Sequence, residues 1–181
     1  MRAFKFFLIF LGAVSLVLLL LVWYSGFFRY ATVDVREMDD FVAVYEDHTG
    51  SYDQTAEIQE KLYNRLWDDG IENYRAFAIF YDDPREVPGN ELRSRVGCIV
   101  EPAYEQKVRE VPGQYQVFHF NKQSCAVVEF PYRNVFSMYA AIRKAYPALE
   151  EFRTGRGIPA GKIIEIYEIP RRVLFVLPLN E

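Results

Sequence analysis

The chain has 181 residues, with 21 Lys plus Arg against 25 Asp plus Glu, a formal net charge of −4 and two cysteines. An acidic balance argues against nucleic acid as a partner, because phosphate neutralisation needs an excess of Lys and Arg. Two cysteines exclude a dense disulfide scaffold, and the length suits one domain with its own apolar core.

Residues 1–29 stand apart, holding Arg2, Lys5 and Arg29 and no acid. Phe6 to Tyr24 is an uncharged, largely apolar run of 19 residues, close to the ~20 that cross a bilayer as a helix. A cleavable signal peptide has an apolar region of about 7–15 residues and a small-x-small cleavage site. Here the run ends in "LLVWYSGFF", whose Trp23 and Tyr24 suit the headgroup interface. The sequence therefore predicts an uncleaved anchor over 1–29, spanning at 6–24. Arg2, Lys5 and the terminal amine precede the span and acids follow it, in "ATVDVREMDD". Positive-inside then predicts a cytoplasmic N-terminus and a soluble part on the external or periplasmic side. Without residues 1–29 the chain carries 18 basic against 25 acidic residues, a formal −7.

From Thr32 the pattern runs strand, helix, hairpin. "DDFVAVYE" alternates, placing Phe41, Ala43 and Tyr45 on one face and Val42 and Val44 on the other. "HTGSY" turns into a helix from about Tyr52 to Trp67, striped by Ile58, Leu62 and Leu66 and stopped by Asp68-Asp69-Gly70; Ser51 or Asp53 is its cap. "RAFAIFY" and "SRVGCIV" then form a hairpin around Asp82, Asp83 and Pro84, where Asp before proline favours leaving the sheet.

The second half opens with "GQYQVFHF" and "SCAVVEFPY". Asn134 caps a helix in which Val135, Met138, Tyr139, Ile142 and Tyr146 recur until Pro147, its expected end. "KIIEIYEIP" and "RRVLFVLPL" close the chain as a second hairpin. "FVAVYE" overlays "CAVVEF" at a shift of 84, and Tyr81 overlays Tyr167 at a shift of 86. The expected fold is α+β: duplicated β-α-β-β units, about 32–101 and 113–179, forming one antiparallel sheet of roughly eight strands with two helices on one face.

Neither His48 nor His119 has ligand-like spacing, so no metal or other cofactor is expected. Cys98 and Cys125 sit in apolar strands, as buried thiols or, in an oxidising compartment, as a disulfide. Alternation places Glu165 among Ile163 and Tyr167, on the expected face of Phe77, Ile79 and Tyr81, so that a carboxylate takes the position of Ile79. Burying it unpaired costs several kcal/mol; the alternatives are solvent exposure or pairing with Lys162 or Arg171. Glu129 and Glu46, near the ends of the paired first strands, line the same cleft or are solvated.

"TGSY" before the first helix, "FYDDPREVP" with "RSRVGCIV", and "IIEIYEIP" resemble the GyrI-like small-molecule-binding family over about residues 32–179. "VVEFPYRNVFSMYAAIRKAYPALEEF" behind a single span is similar to that family's membrane-anchored ER-phagy receptors. Those adaptors use a disordered tail with an aromatic-x-x-aliphatic motif, whereas this sequence stops at Glu181 after its last strand; a stand-alone prokaryotic relative is the expectation. The resemblance implies a cleft between the halves where aromatic rings and a glutamate hold lipophilic cations. Its ligand-binding residues would be Glu165, Tyr167, Tyr81, Ile79, Glu129 and Tyr45. In some members that glutamate activates water against lipophilic electrophiles. Here the tryptophan frequent in such pockets has no counterpart, Trp67 ending the first helix and Trp23 lying in the span. The expected function is binding of a small lipophilic, cationic or neutral, molecule by a membrane-anchored domain; the alternatives are an interaction module for a membrane protein and a hydrolase using Glu165.

Overall fold

The computed structural model describes residues 2–110, 113–159 and 161–179. Its first element, α1 (Arg2–Tyr24), is the apolar run, continuous as a helix and exposed along its described length. The stretch Phe4–Tyr24 has 21 residues; at 1.5 Å per residue it reaches about 31 Å, the thickness of a bilayer's hydrocarbon core. By length and composition it is one candidate span.

Eight strands follow: β1 (Val33–Met38), β2 (Phe41–Thr49), β3 (Arg75–Phe80), β4 (Arg93–Val100), β5 (Gln116–Phe120), β6 (Gln123–Pro131), β7 (Ile164–Glu168) and β8 (Arg172–Pro178). They form one antiparallel sheet in the order β1-β6-β8-β7-β3-β4-β2-β5. The α+β class and the antiparallel sheet are as expected from sequence. The expected list of strands omitted β1, because "VDVREM" carries three charges and reads as a polar connection. At the sheet's edge only half its surface must be apolar. The outermost strands are exchanged: β1 precedes the first hairpin unit but pairs with β6, and β5 precedes the second but pairs with β2.

Three further helices are α2 (Thr55–Asp68), the short α3 (Glu105–Arg109) and α4 (Val135–Gly155). Ser51 caps the 3₁₀ turn Tyr52–Gln54 that leads into α2. Asn134 caps α4, its side chain accepting from Ser137 N at 2.8 Å while its own N–H donates to Ser137 Oγ at 3.0 Å. α4 does not stop at Pro147 but continues through it to Gly155. Proline removes one backbone bond, yet Ala145 and Leu149 on either side are fully buried against the sheet and keep the helix going.

Both long helices lie on one face. Leu62 and Leu66 of α2 pack on Val44, Cys98 and Val100, while Ala141, Ala145 and Leu149 of α4 pack on Ala126, Val128, Val173 and Phe175. Among the described residues the other face carries no helix and buries its own core, with Phe77, Ile79, Phe120, Ile164, Ile166 and Leu174 in one cluster. The ring of Phe77 reaches Phe118, 5.5 Å between centroids, by lying over Gly97; a Cβ there would stand 2.6 Å from the Phe77 ring and 2.0 Å from the Val44 carbonyl oxygen. Cys98 faces the helices and Cys125 the opposite layer, so no disulfide joins them.

Candidate functional site

Registry across the sheet decides which candidate residues can meet. One row on the helix face runs Glu46, Val96, Ala78, Glu165, Phe175, Val128, and the next runs Val44, Cys98, Ala76, Tyr167, Val173, Phe130. The intervening row, Tyr45, Gly97, Phe77, Ile166, Leu174, Glu129, faces the other way. Glu165 and Tyr167 therefore share the helix face, whereas Ile79, Tyr45 and Glu129 sit on the opposite face and Tyr81 packs with them. The expected common face of Glu165 with Ile79 and Tyr81 is overturned. Overlaying the hairpins at an even shift slips the register by one residue, and a slip of one carries every side chain through the sheet. The partner of Glu165 is Ala78 and that of Ile79 is Ile164.

Glu165 is 1% exposed. Tyr146 of α4 donates its hydroxyl to Oε1 at 2.6 Å, and Tyr167 donates to Oε2 at 2.6 Å. Neither Lys162 nor Arg171 answers it; the Lys162 ammonium instead lies 5.4 Å from the Tyr81 ring centroid on the far face. Burial raises the Glu165 pKa above the usual carboxylate range, and the two tyrosine hydroxyls pull it back in part. The same burial, with the carboxylate alongside, pushes both tyrosines up. Tyr146 is fixed further by its ring edge against Phe175, 5.8 Å between centroids.

Beside this triad, between α2 and the end of β7, lies a cleft of about 420 Å³. Ala56, Gln59 and Tyr63 of α2 form one wall, Tyr167 and Ile169 the other, and Ala76 and Cys98 the floor. Ala76 helps make the opening, since it presents a methyl where its cross-strand neighbours Cys98 and Tyr167 present larger groups. Asn73, 2% exposed, lines the cleft with an Nδ2 that has no hydrogen-bond partner. Gln59 spends its amide on the carbonyl oxygens of Gly97 and Phe77, at 2.9 and 3.2 Å. Burial pushes the Cys98 thiol up to about 12, which keeps it inert. Tyr167 is shared by cleft and triad, with Glu165 behind it.

The remaining candidates are engaged elsewhere. The Arg95 guanidinium lies 3.8 Å from the Tyr45 ring centroid while bonding Asp47 at 2.8 Å. Glu129 is exposed and pairs with Arg172 at 3.0 Å and Arg36 at 3.4 Å; Glu46 pairs with Arg65 at 3.5 Å. Asp82 binds Arg93 across the hairpin, accepting from its backbone N–H at 2.7 Å and its Nη2 at 2.7 Å, and Asp83 holds Arg85. The pair closes the turn. Among the described residues no group of three His, Cys, Asp or Glu is placed to hold a metal. Sequence reasoning named Tyr146 only as a helix-face residue; the signal for its role was its spacing, one turn beyond Ile142 and lateral to the buried alanine stripe of α4.

Comparison with known proteins agrees with this architecture. The chain is 29% identical over 164 residues to testis-expressed protein 264 homolog of Mus musculus, covering 86% of this chain and 51% of that protein. It is 28% identical over 184 residues to testis-expressed protein 264 of Homo sapiens, covering 93% and 56%. The chain thus spans about half the length of these relatives. In fold it is similar to the EcmrR C-terminal domain, with a TM-score of 0.61 at 10% identity over 83% of this chain and 98% of that one. It is also similar to SAV2435 bound to tetraphenylphosphonium, with a TM-score of 0.53 at 8% identity over 82% and 94%. The model of the GyrI-like small molecule binding domain matches residues 31–172, and the chain belongs to that family.

Proposed function

We propose that the protein is a membrane-anchored domain that captures a small lipophilic molecule, cations above all, in the cleft between α2 and the Tyr167–Ile169 stretch, with Glu165 as the answering charge. The carrying observation is the Tyr146–Glu165–Tyr167 arrangement: a carboxylate inside an apolar layer, held by hydroxyls and by no cation among the described residues. An acid in that state is stabilised more by an arriving cation than a solvated one would be, because the low-dielectric surroundings strengthen the pairing. Tyr63, Tyr74 and Tyr167 supply ring faces, and the free donor of Asn73 gives a polar ligand atom a place to bond. Glu165 is not itself among the lining residues, so contact with the ligand's charge requires Tyr167 to turn aside. The tetraphenylphosphonium bound by the like-folded SAV2435 supports a lipophilic cation, as a fold-level analogy. The exchanged outer strands support an internal duplication, and the charges around α1 support a soluble part on the external side.

Titration of the full chain in detergent micelles with a fluorescent amphiphilic cation, displaced by tetraphenylphosphonium, tests the reading. Glu165→Gln should weaken binding by about tenfold or more, equivalent to ~1.4 kcal/mol. Absence of saturable displacement by any amphiphilic cation would overturn it. A reporter fused after residue 181, active on one side of the membrane only, tests the orientation.

A further inference from the structure

We propose that the outer face of the first half of α4 is a membrane-contact surface, lying in the headgroup layer of an anionic bilayer beside the chain's own span; this rests on the anchor reading of α1. That face carries Val135, Phe136 and Tyr139, exposed by 61%, 71% and 64%, with Ile142 at its flank. The inward face of the same helix is Ala140, Ala141, Ala145 and Leu149, so α4 inverts the usual pattern: small residues inside, large apolar residues outside. An exposed cluster of that kind marks an interaction site.

Its position names the occupant. Arg133, at the start of α4, donates from Nη1 to the carbonyl oxygen of Tyr24 at 2.5 Å, with its guanidinium 4.9 Å from the Tyr24 ring centroid. Asn134 Nδ2 donates to Ser25 Oγ at 3.3 Å. Lys144 donates to the carbonyl oxygens of Phe27 and, at 2.6 Å, Arg29. The end of the span and the residues after it, 24–29, are thus stitched to the start and first three turns of α4, and Trp23 and Tyr24 set the level of the headgroups there. Phe27, Phe28 and Tyr30, all exposed, extend the same apolar surface.

Charge agrees with the position. The soluble part is acidic, yet between Glu129 and Glu150 the sequence has Arg133, Arg143 and Lys144 and no acid. A helix with aromatic and branched residues on one side and Arg and Lys beside them is the pattern that rests in an anionic interface. A soluble protein partner would not need to stand against the span, and lipid already does.

The test uses the full chain in vesicles of phosphatidylcholine with roughly one-third phosphatidylserine, nitroxide-labelled at Phe136→Cys or Tyr139→Cys. Labels at Lys61→Cys, on exposed α2, and at Leu16→Cys, inside α1, are the references. The buried Cys98 and Cys125 give a low background, measured on the unsubstituted chain. Collision with a water-soluble nickel chelate should fall at least about fivefold at 136 and 139 relative to 61, with oxygen collision rising, and the effect should weaken in pure phosphatidylcholine. Lipid exposure at 16 with water exposure at 136 and 139 would overturn the inference and leave the anchor standing. Water exposure at 16 would overturn both. Dipolar broadening at 136 that grows with protein-to-lipid ratio would mean that a second copy covers the face, and would also overturn it.

Discussion

Ala78 stands opposite Glu165 across the β3–β7 pair, and its methyl leaves the space in which the carboxylate meets two tyrosines. Paired residues on one face are about 4.5–5.5 Å apart at Cβ, so a larger group at 78 competes with the Glu165 side chain directly. Ala78→Leu should cost about 1–3 kcal/mol in stability, as overpacking does, and abolish cation binding. Denaturant unfolding and dye displacement measure the two effects; a variant that binds normally would show that the triad tolerates displacement.

Tyr146→Phe and Tyr167→Phe each take one donor from a buried carboxylate. Each should cost about 1–3 kcal/mol near neutral pH, the range for an unmet buried charged acceptor. The loss should shrink in acid, where Glu165 is protonated in both variants and parent. Equal losses at pH 4 and pH 8 would contradict a charged acceptor.

Glu165 itself fixes a pH slope. Its folded pKa is raised by burial above the unfolded value. Below the unfolded value both states hold the proton and the residue makes no difference. As pH rises through the unfolded value and towards the folded one, the unfolded state releases its proton first and native stability falls. Glu165→Gln should remove that component, so that the variant gains on the parent as pH rises from acid to neutral. Thermal melts across pH 4–8 with parallel curves for the two proteins would rule this out.

Gly97 should tolerate no side chain. The Cβ of alanine would meet the Val44 carbonyl oxygen at 2.0 Å and the Tyr45 Cα at 2.9 Å, and these belong to the backbone of the neighbouring strand, which cannot move aside alone. Gly97→Ala should cost at least about 3 kcal/mol, the upper end for overpacking. It should also shift the near-ultraviolet spectrum of the aromatic layer containing Phe77 and Phe118. A native-like melt would refute the packing.

Asp82→Asn should weaken the first hairpin without touching ligand affinity. Arg93 holds the Asp82 carboxyl below its ordinary pKa, so the pairing is present above the unfolded carboxylate value and is lost as pH falls through the folded one. Faster amide exchange confined to β3 and β4 is the expected signature; unchanged exchange there would place the closing interaction elsewhere.

Much of this architecture was legible because its causes are local. Alternation revealed seven strands, and Asn134 and the Leu62–Leu66 stripe revealed the two packed helices. Glu165 was conspicuous as an acid flanked by isoleucines in its strand, while its burial, with solvent exposure as the alternative, was left to the structure. What escaped was non-local. The strand β1 owes its place to β6, almost a hundred residues away, and nothing in "VDVREM" announces that. The facing of Tyr81 depended on a single residue of register, which internal similarity cannot resolve when both faces of the strand are apolar. The continuation of α4 past Pro147 to Gly155 escaped as well, because the local preference of proline is to stop a helix.

The exchange of outer strands has a mechanical consequence. The linker from the span enters the sheet at Val33, and β1 lies along β6 through Met38. A pull on the domain relative to α1 first meets the contacts of Arg133, Asn134 and Lys144 with residues 24–29, and then the β1–β6 ladder. Because β1 passes within three residues into β2, near the opposite edge, force that strips β1 is handed across the sheet. Tension applied through α1 is therefore divided between both ends of the domain, and the cleft lies between them.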